Sequence, residues 1–266
     1  MPELPEVETI RRAIEKTLVG KKISAVQINN PRVIREPSPR EFAKGLEGRA
    51  IAGALRKGKL LIMELSGGKF LCAHLKMTGQ FVYPGTGKAS RVSFQFSDGT
   101  LLDFNDNRLF GELRLRDDWS TLKFVRELGP DPFGITAEEF AAMLAGKRTK
   151  IKALLMDQKF IAGIGNLYAA EMLFAGRIGP GRPASSLSGE EAARLYRAMK
   201  DILSEAVRLK GSSVDNYVQL SGQRGGYVPQ LKVYGREGKP CVGCAGTVQR
   251  TTMGGRGTYY CPACQK

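Results

Sequence analysis

Residues 241–264 read CVGCAGTVQRTTMGGRGTYYCPAC, placing four cysteines in the last 26 residues of a 266-residue chain. Cys241-x2-Cys244 is followed, after 16 residues, by Cys261-x2-Cys264. Two CxxC pairs at this separation match a tetrahedral zinc site with four thiolate ligands. Protein fills all four positions, so Cys241, Cys244, Cys261 and Cys264 are expected to hold one structural Zn2+. Two separate redox pairs are the other reading, which the spacing disfavours. Between the pairs, QRTTMGGRGTYY has the look of a hairpin carrying Arg250 and Arg256. An arginine at the tip of a zinc-pinned hairpin can probe a phosphate or a groove; a solvated loop arginine would carry the same sequence. The fifth cysteine, Cys72, lies in an apolar strand and reads as a small buried hydrophobe.

Upstream of the tail, helical patterns dominate. Thr136 and Glu139 have capping-box spacing ahead of an apolar run, and Ser188 and Glu191 repeat it before LYRAMKDILSEAVRL. Between them, LLMDQKFIAGIGNLYAAEMLF is interrupted by Gly163-Ile164-Gly165-Asn166, which breaks one helix and opens the next. Two helices flanking a glycine-containing turn suit a helix-turn-helix-type DNA element. Lys147, Arg148, Lys150 and Lys152, just upstream, form a basic run that reads for the most part as a solvated face steering DNA, with no role for any one of them.

Residues 22–116 have a different texture. KISAVQI, KLLIMEL, KFLCAHL, RVSFQF and TLLDF are strand-like, with Ser66-Gly67-Gly68 and Asp98-Gly99 as hairpin turns. The expected architecture is an antiparallel sandwich or barrel, ending in a hinge near Glu127-Leu128-Gly129-Pro130-Asp131-Pro132. Residues 5–18 read as a helix, because Val7, Ile10, Ile14 and Leu18 make one apolar stripe. Pro5 suits its first turn and Gly20 its end.

Ahead of that helix stands Met1-Pro2-Glu3-Leu4-Pro5-Glu6. Pro2 is small, so removal of Met1 is expected, leaving a secondary amine. An α-amino group ordinarily titrates at ~7.7–8.0, so a useful fraction is neutral at physiological pH and able to attack an electrophilic carbon. Glu3 and Glu6 put carboxylates within reach for proton transfer. A proline that merely starts a helix is the simpler reading of the same residues.

The whole chain bounds the partners. Forty-one Lys and Arg against 26 acidic residues give a net charge of +15 and a pI near 9.7. Such a balance points to a polyanion, nucleic acid before an anionic membrane surface. No apolar stretch approaches the ~20 residues that cross a bilayer. Acids occupy the first 20 residues where a signal peptide would be basic and then apolar, so the chain is expected to be cytosolic and without a disulfide framework.

MPELPEVET, RKGKLLIMEL, HLKMTG, RLFG, DQKFIAGIGNLYAAEMLF, VYGREGKPC and the CxxC…CxxC tail occur in one order. From residue 2 to residue 264 the chain resembles the Fpg/Nei family of formamidopyrimidine-DNA glycosylases. Its PELPEVET start is more similar to the formamidopyrimidine branch than to the endonuclease VIII branch. The resemblance implies an α+β fold of two domains. A catalytic helix and antiparallel β-sandwich (1–130) is joined to a helix-two-turn-helix domain (131–235) and a four-cysteine zinc-finger hairpin (236–266), with DNA between the domains. It also implies a bifunctional DNA glycosylase and AP lyase of base excision repair in the bacterial cytosol, acting as a monomer on damaged double-stranded DNA. No membrane and no obligate protein partner are implied. The damaged base is flipped out of the stack, because its sugar cannot be attacked inside the duplex.

By the same resemblance, Pro2 attacks C1′ of an oxidised purine nucleotide such as 8-oxoguanine or a formamidopyrimidine. The Schiff base that forms permits β- and δ-elimination. Glu3 is the acid–base residue, Glu6 a supporting carboxylate and Lys59 an essential cation near the nucleophile. Arg256 joins this catalytic group as a clamp on the lesion's phosphates, with Asn166; His74 is a further phosphate contact. Met77, Arg108 and Phe110 form a wedge that fills the hole left by the flipped base and faces its partner. Ser221–Tyr227, with three glycines, matches a loop that closes over the base. Arg56 and Lys57 carry no individual role. The wedge departs from the family at Leu109, where a basic residue is usual: either a phosphate contact is lost, or Leu109 packs underneath. An endonuclease VIII-type enzyme for oxidised pyrimidines and a non-catalytic damaged-DNA binder are the alternatives.

Overall fold

The apolar stripe of the first helix is realised in α1, Leu4–Thr17, where Val7, Ile10 and Ile14 are fully buried along with Leu18 just beyond its end. The computed structural model describes residues 1–88 and 90–266. They divide into two units: Met1–Arg126 with Val207–Val228, and Glu127–Ala206 with Pro229–Lys266.

In the first unit, α1 is followed by β1 (Ile23–Ile28), β2 (Ile34–Glu36), α2 (Pro39–Leu46), β3 (Ile51–Lys57), β4 (Leu60–Leu65) and β5 (Lys69–His74). Then come β6 (Gln80–Val82), β7 (Val92–Phe96), β8 (Leu101–Asn105), β9 (Glu112–Arg116) and the short α3 (Lys123–Arg126). One sheet has the order β1-β7-β8-β6 and the other β2-β9-β5-β4-β3. All pairs are antiparallel except β2–β9. The five runs expected as strands form β1, β4, β5, β7 and β8. The structure adds β2, β3, β6 and β9. In β9, Leu113 and Leu115 are buried between half-buried Glu112, Arg114 and Arg116, a period-two pattern masked by its charges.

Strand periodicity explains the layering. Leu61, Met63 and Leu65 of β4 face the main core, which also takes Phe81, Phe94 and Phe104 from the other sheet and Val7 and Ile10 from α1. Leu60 and Ile62 point the opposite way, to a smaller cluster with Cys72, Leu122 and Val125. The second sheet is thus apolar on both faces, as the unbroken run LLIM requires.

The second unit contains α4 (Ala137–Leu144), α5 (Ile151–Met156), α6 (Asn166–Ala175) and most of α7 (Gly189–Arg208), then the hairpin β10 (Gln249–Met253) and β11 (Arg256–Tyr260). Both expected capping boxes form: Glu139 N–H donates to the Thr136 hydroxyl at 3.2 Å and Glu191 N–H to that of Ser188 at 3.2 Å. The first helix of the helix-turn-helix ends earlier than the glycines suggest, at Met156. The Gln158 amide is the reason. It donates to the Met156 and Ile164 carbonyls at 2.9 and 2.8 Å and accepts from Gly163 N–H at 2.9 Å, filling a long turn with its own hydrogen bonds. Gly254 and Gly255, at φ 56° and 72°, form the two-residue turn of the β10–β11 hairpin, where two positive φ angles favour glycine.

Candidate functional site

Pro2, Glu3 and Glu6 come together at the N-terminus of α1, and all three are buried. Glu3 is the N-cap; its N–H donates to Glu6 Oε2 at 2.8 Å. The other oxygen, Glu6 Oε1, accepts from Ser212 N–H at 2.8 Å, so Glu6 ties the helix start to residues 207–228 of the same unit. Gly211 lets that segment approach: a Cβ there would lie 3.0 Å from Glu6 Oε1 and 2.8 Å from Tyr217 Cε1. Burial, and then the Glu6 charge, push the Tyr217 phenol above its ordinary range, so it stays neutral and donates to the Lys210 carbonyl at 3.1 Å. The positive end of the helix favours these carboxylates. The Pro2 nitrogen is here acylated by Met1, whose ammonium lies 3.2 Å from Asp215 Oδ2.

Lys59, 8% exposed, is the second residue of the two-residue β3–β4 turn, after Gly58 at φ 57°. Arg56, to which the sequence reading gives no role, fixes this turn. Its guanidinium pairs with Glu8 of α1 at 3.2 Å and donates to the Gly58 carbonyl at 3.0 Å, and both side chains of the pair are largely buried. Burial opposes ionisation of Glu8, yet Arg11, Arg12 and Arg56 together hold its carboxyl below the usual range. His74 ends β5, with Leu60 as its cross-strand partner. Burial first, then the Lys76 charge and a smaller push from Lys59, lower His74 to about 3, so the ring is neutral. Its Nδ1 accepts from Lys76 N–H at 3.1 Å, which assigns the ring proton to Nε2, a donor suited to a phosphate oxygen.

Met77, Arg108 and Phe110 sit on two loops of the same unit and are exposed. The Arg108 guanidinium stacks 4.7 Å from the Phe110 ring centroid. Between them Leu109 takes φ 58° and packs against the main core, so it packs underneath the wedge. The 221–227 loop is anchored by Gly226 N–H on the Leu209 carbonyl at 2.8 Å and Tyr227 N–H on that of Gly211 at 3.0 Å, while residues 221–224 face solvent.

In the second unit, Asn166 is the first residue of α6. Its side chain donates to the Gly257 carbonyl at 3.1 Å and accepts from Lys152 Nζ at 2.7 Å. Lys152 is the exception in a basic run that otherwise faces solvent. Lys147, Arg148 and Lys150 are exposed, but Lys152 is 2% exposed and also donates to Thr258 Oγ1 at 2.6 Å and the Gly257 carbonyl at 3.2 Å. One buried ammonium therefore joins α5, α6 and the hairpin bearing Arg256. Arg256 itself is exposed at the hairpin tip, across from Met253, and lines a cleft of about 270 Å³ with Lys150, Met156 and Asp157. Glu171, a further residue with no sequence signal, accepts from the N–H groups of Lys232, Val233 and Tyr234 at 2.8, 3.0 and 2.8 Å. Burial raises its pKa against the pull of those three donors.

The four cysteines converge. Their sulfurs all lie within 4.8 Å of one another, with Cys241–Cys264 at 3.7 Å and Cys244–Cys261 at 3.5 Å. A tetrahedron of thiolates ~2.3 Å from zinc has edges of about 3.8 Å. The donor set therefore fits one zinc with no open position, a structural ion. Gly243 and Gly246 N–H groups, each 3.3 Å from a sulfur, stabilise the thiolates.

A basic chain with a sandwich unit whose carboxylates flank buried Pro2 at a helix start, and a helical unit with a four-thiolate hairpin, fits a nucleic-acid-directed class of protein. Three family models match in sequence: the formamidopyrimidine-DNA glycosylase N-terminal domain over residues 1–113, its H2TH domain over 128–218, and a zinc finger found in FPG and IleRS over 238–266. The chain is 43% identical to a formamidopyrimidine-DNA glycosylase of Pelotomaculum thermopropionicum over 274 aligned positions, covering 100% of this chain and 99% of the relative. It is 45% identical to that of Moorella thermoacetica, covering 94% of each. Among solved structures, it superposes on the MutM (Fpg) protein of Thermus thermophilus with a TM-score of 0.89 at 41% identity, over 99% of this chain and 98% of that one. A Lactococcus lactis Fpg mutant in complex with DNA containing Fapy-dG gives 0.91 at 34% identity, over all of both chains. The chain belongs to the formamidopyrimidine-DNA glycosylase family.

Proposed function

We propose that this protein is a bifunctional DNA glycosylase and AP lyase of base excision repair, excising oxidised purines such as 8-oxoguanine and formamidopyrimidines. The observation that carries this reading is the burial of Pro2, Glu3 and Glu6 together at the N-terminus of α1. Once Met1 is removed, the Pro2 amine attacks C1′ of the flipped nucleotide. The N–C1′ bond forms, the glycosidic bond breaks, and the base leaves with a proton. Glu3 moves protons at the sugar, and Glu6 holds the helix start in place. Lys59 supplies a fixed positive charge beside the phosphate, and His74 a neutral N–H donor. Asn166 and Arg256 seat further phosphates, with Arg256 counted among the catalytic residues. Met77, Arg108 and Phe110 fill the vacated stack. Similarity to proteins crystallised with Fapy-dG DNA and with abasic-site DNA supports this substrate class.

Functionally, residues 1–130 form the catalytic part, 131–235 the helical DNA-binding part and 236–266 the zinc finger. No helix of the described residues is long and apolar enough to cross a membrane. We place the protein in the bacterial cytosol as a monomer on DNA.

Borohydride reduction tests the reading. Protein shown by mass to lack Met1 is incubated with duplexes carrying 8-oxoguanine or an oxidised pyrimidine. The expected result is a covalent protein–DNA product with the purine lesion. No product with either duplex refutes the enzyme reading; a stronger product with the pyrimidine moves the chain to the endonuclease VIII type.

A further inference from the structure

Two short loops carry the three wedge residues. Met77 lies in the Leu75–Gly79 turn, closed by Gly79 N–H on the Leu75 carbonyl at 2.9 Å. Arg108 and Phe110 lie in the loop from residue 106 to 111. One side chain joins the two loops. Asp106, 1% exposed, accepts from the Thr78 hydroxyl, from Arg108 N–H at 3.1 Å and from Gly111 N–H at 2.6 Å. The Thr78 oxygen itself accepts from Arg108 N–H at 3.2 Å. From behind, Arg91 Nε donates to the Asp106 carbonyl at 2.8 Å. Gly111 has no room for a side chain: a Cβ would lie 2.9 Å from Asp106 Oδ2 and 2.8 Å from Phe104 Cζ.

The bonds to Arg108 and Gly111 close the second loop by themselves. The bond to Thr78 is different, because it contributes nothing to that closure and fixes one loop against the other. Met77 directly precedes Thr78, and Arg108 shares its N–H between both partners. Leu109 adds a third fixed point by packing into the core. A wedge made of independent loops would still fill a vacated stack, but its guanidinium could reach several patterns of donors and acceptors. A wedge locked at one angle presents it to one pattern.

We propose that Asp106 and Thr78 are positioning residues that set opposite-base selectivity by locking the Met77 turn and the Arg108–Phe110 loop into one body. This rests on the wedge reading given above. The test measures single-turnover excision of 8-oxoguanine opposite each of the four bases for the parent, Asp106→Asn, Thr78→Val, Thr78→Ser and Arg108→Ala. Cleavage of a single-stranded abasic oligonucleotide, which has no partner base, serves as control. Asp106→Asn and Thr78→Val should each lower the ratio between best and worst opposite base by roughly tenfold, the scale of one lost hydrogen bond to a charged group. Single-strand cleavage should be unchanged, and Thr78→Ser should restore the parent ratio. If Arg108→Ala changes the ratio while Asp106→Asn and Thr78→Val do not, the positioning role is wrong and the wedge stands. If Arg108→Ala leaves it unchanged, the wedge reading fails and takes this proposal with it. Equal losses on all substrates, single strand included, mark Asp106 and Thr78 as merely structural and overturn the proposal. Should Asp106→Asn not fold, the Thr78 pair decides alone.

Discussion

Val7, Phe81, Phe94 and Phe104 are fully buried in the sandwich of the first unit, in a cluster drawing on α1 and both sheets. Around the zinc-finger hairpin, the apolar cluster has only Ala170, Val233 and Val248 fully enclosed. The first region places its carboxylates and turns by filling space between two sheets. The second has too little apolar area for that, and its geometry rests on four thiolates, one buried ammonium and one buried carboxylate. The contrast teaches that a site on the sandwich tolerates loss of a polar link better than loss of core volume, and that the hairpin behaves the other way round.

Removing the metal breaks the contrast hardest. Structural zinc contributes about 10–16 kcal/mol of apparent binding energy in small finger domains. Cys261→Ala should therefore take zinc content from one per chain to none and abolish hairpin order and tight DNA binding. Hydrogen exchange of the sandwich should not change. Persistent protection of residues 249–260 in the variant would show that the metal is not what holds the hairpin.

Phe104→Ala is the matching insult to the first unit. Its ring centroid lies 5.0 Å from that of Phe81, and its loss should cost about 3–5 kcal/mol in urea unfolding. Zinc content should stay at one. A cost below about 1 kcal/mol would mean that the sandwich repacks readily.

Lys152 separates positioning from contact in the second unit. Lys152→Met leaves Asn166, Gly257 and Thr258 without their shared donor, at about 1–3 kcal/mol. DNA affinity should fall, yet the salt dependence of binding should keep its slope. Arg256→Ala should reduce that slope by about one. Equal slope changes in both variants would place Lys152 on the phosphate itself.

The smallest effect is one of pH, and it differs between the units. His74 is held neutral down to about 3, whereas in the unfolded chain it takes a proton near its ordinary 6.5. The unfolded state binds the extra proton, so this part of the stability is present above pH 6.5 and is lost as pH falls towards 3. Glu191 of the second unit is depressed to about 2, chiefly by the Arg182 guanidinium, so its contribution is present above 4.5 and lost between there and about 2. His74→Gln should flatten the stability profile of the first unit between pH 6.5 and 4.5 and leave the second unchanged. As the chain has one histidine, an unaltered profile would contradict its neutral state in the fold.

Much of this was legible in the chain. The α1 stripe, both capping boxes, five of the strands and the cysteine ligand set depend on residues a few positions apart, where periodicity and spacing carry the signal. β9 was readable in principle, with its leucines alternating against charges. Arg56, Lys152 and Asp106 were not. Arg56 and Lys152 sit in basic stretches that composition assigns to solvent, and Asp106 stands in a motif read for its neighbours.

The sequence by itself determined the α+β fold class and the zinc ligands, because those depend on local pattern and residue chemistry. Only the tertiary structure decided which charges are buried and what they hold. Asp106 meets Thr78 from 28 residues away, Lys152 meets Thr258 from 106 and Ser212 meets Glu6 from 206. Each of these polar groups is stable inside only where register and packing bring its partners within hydrogen-bond distance, and no local spacing encodes that.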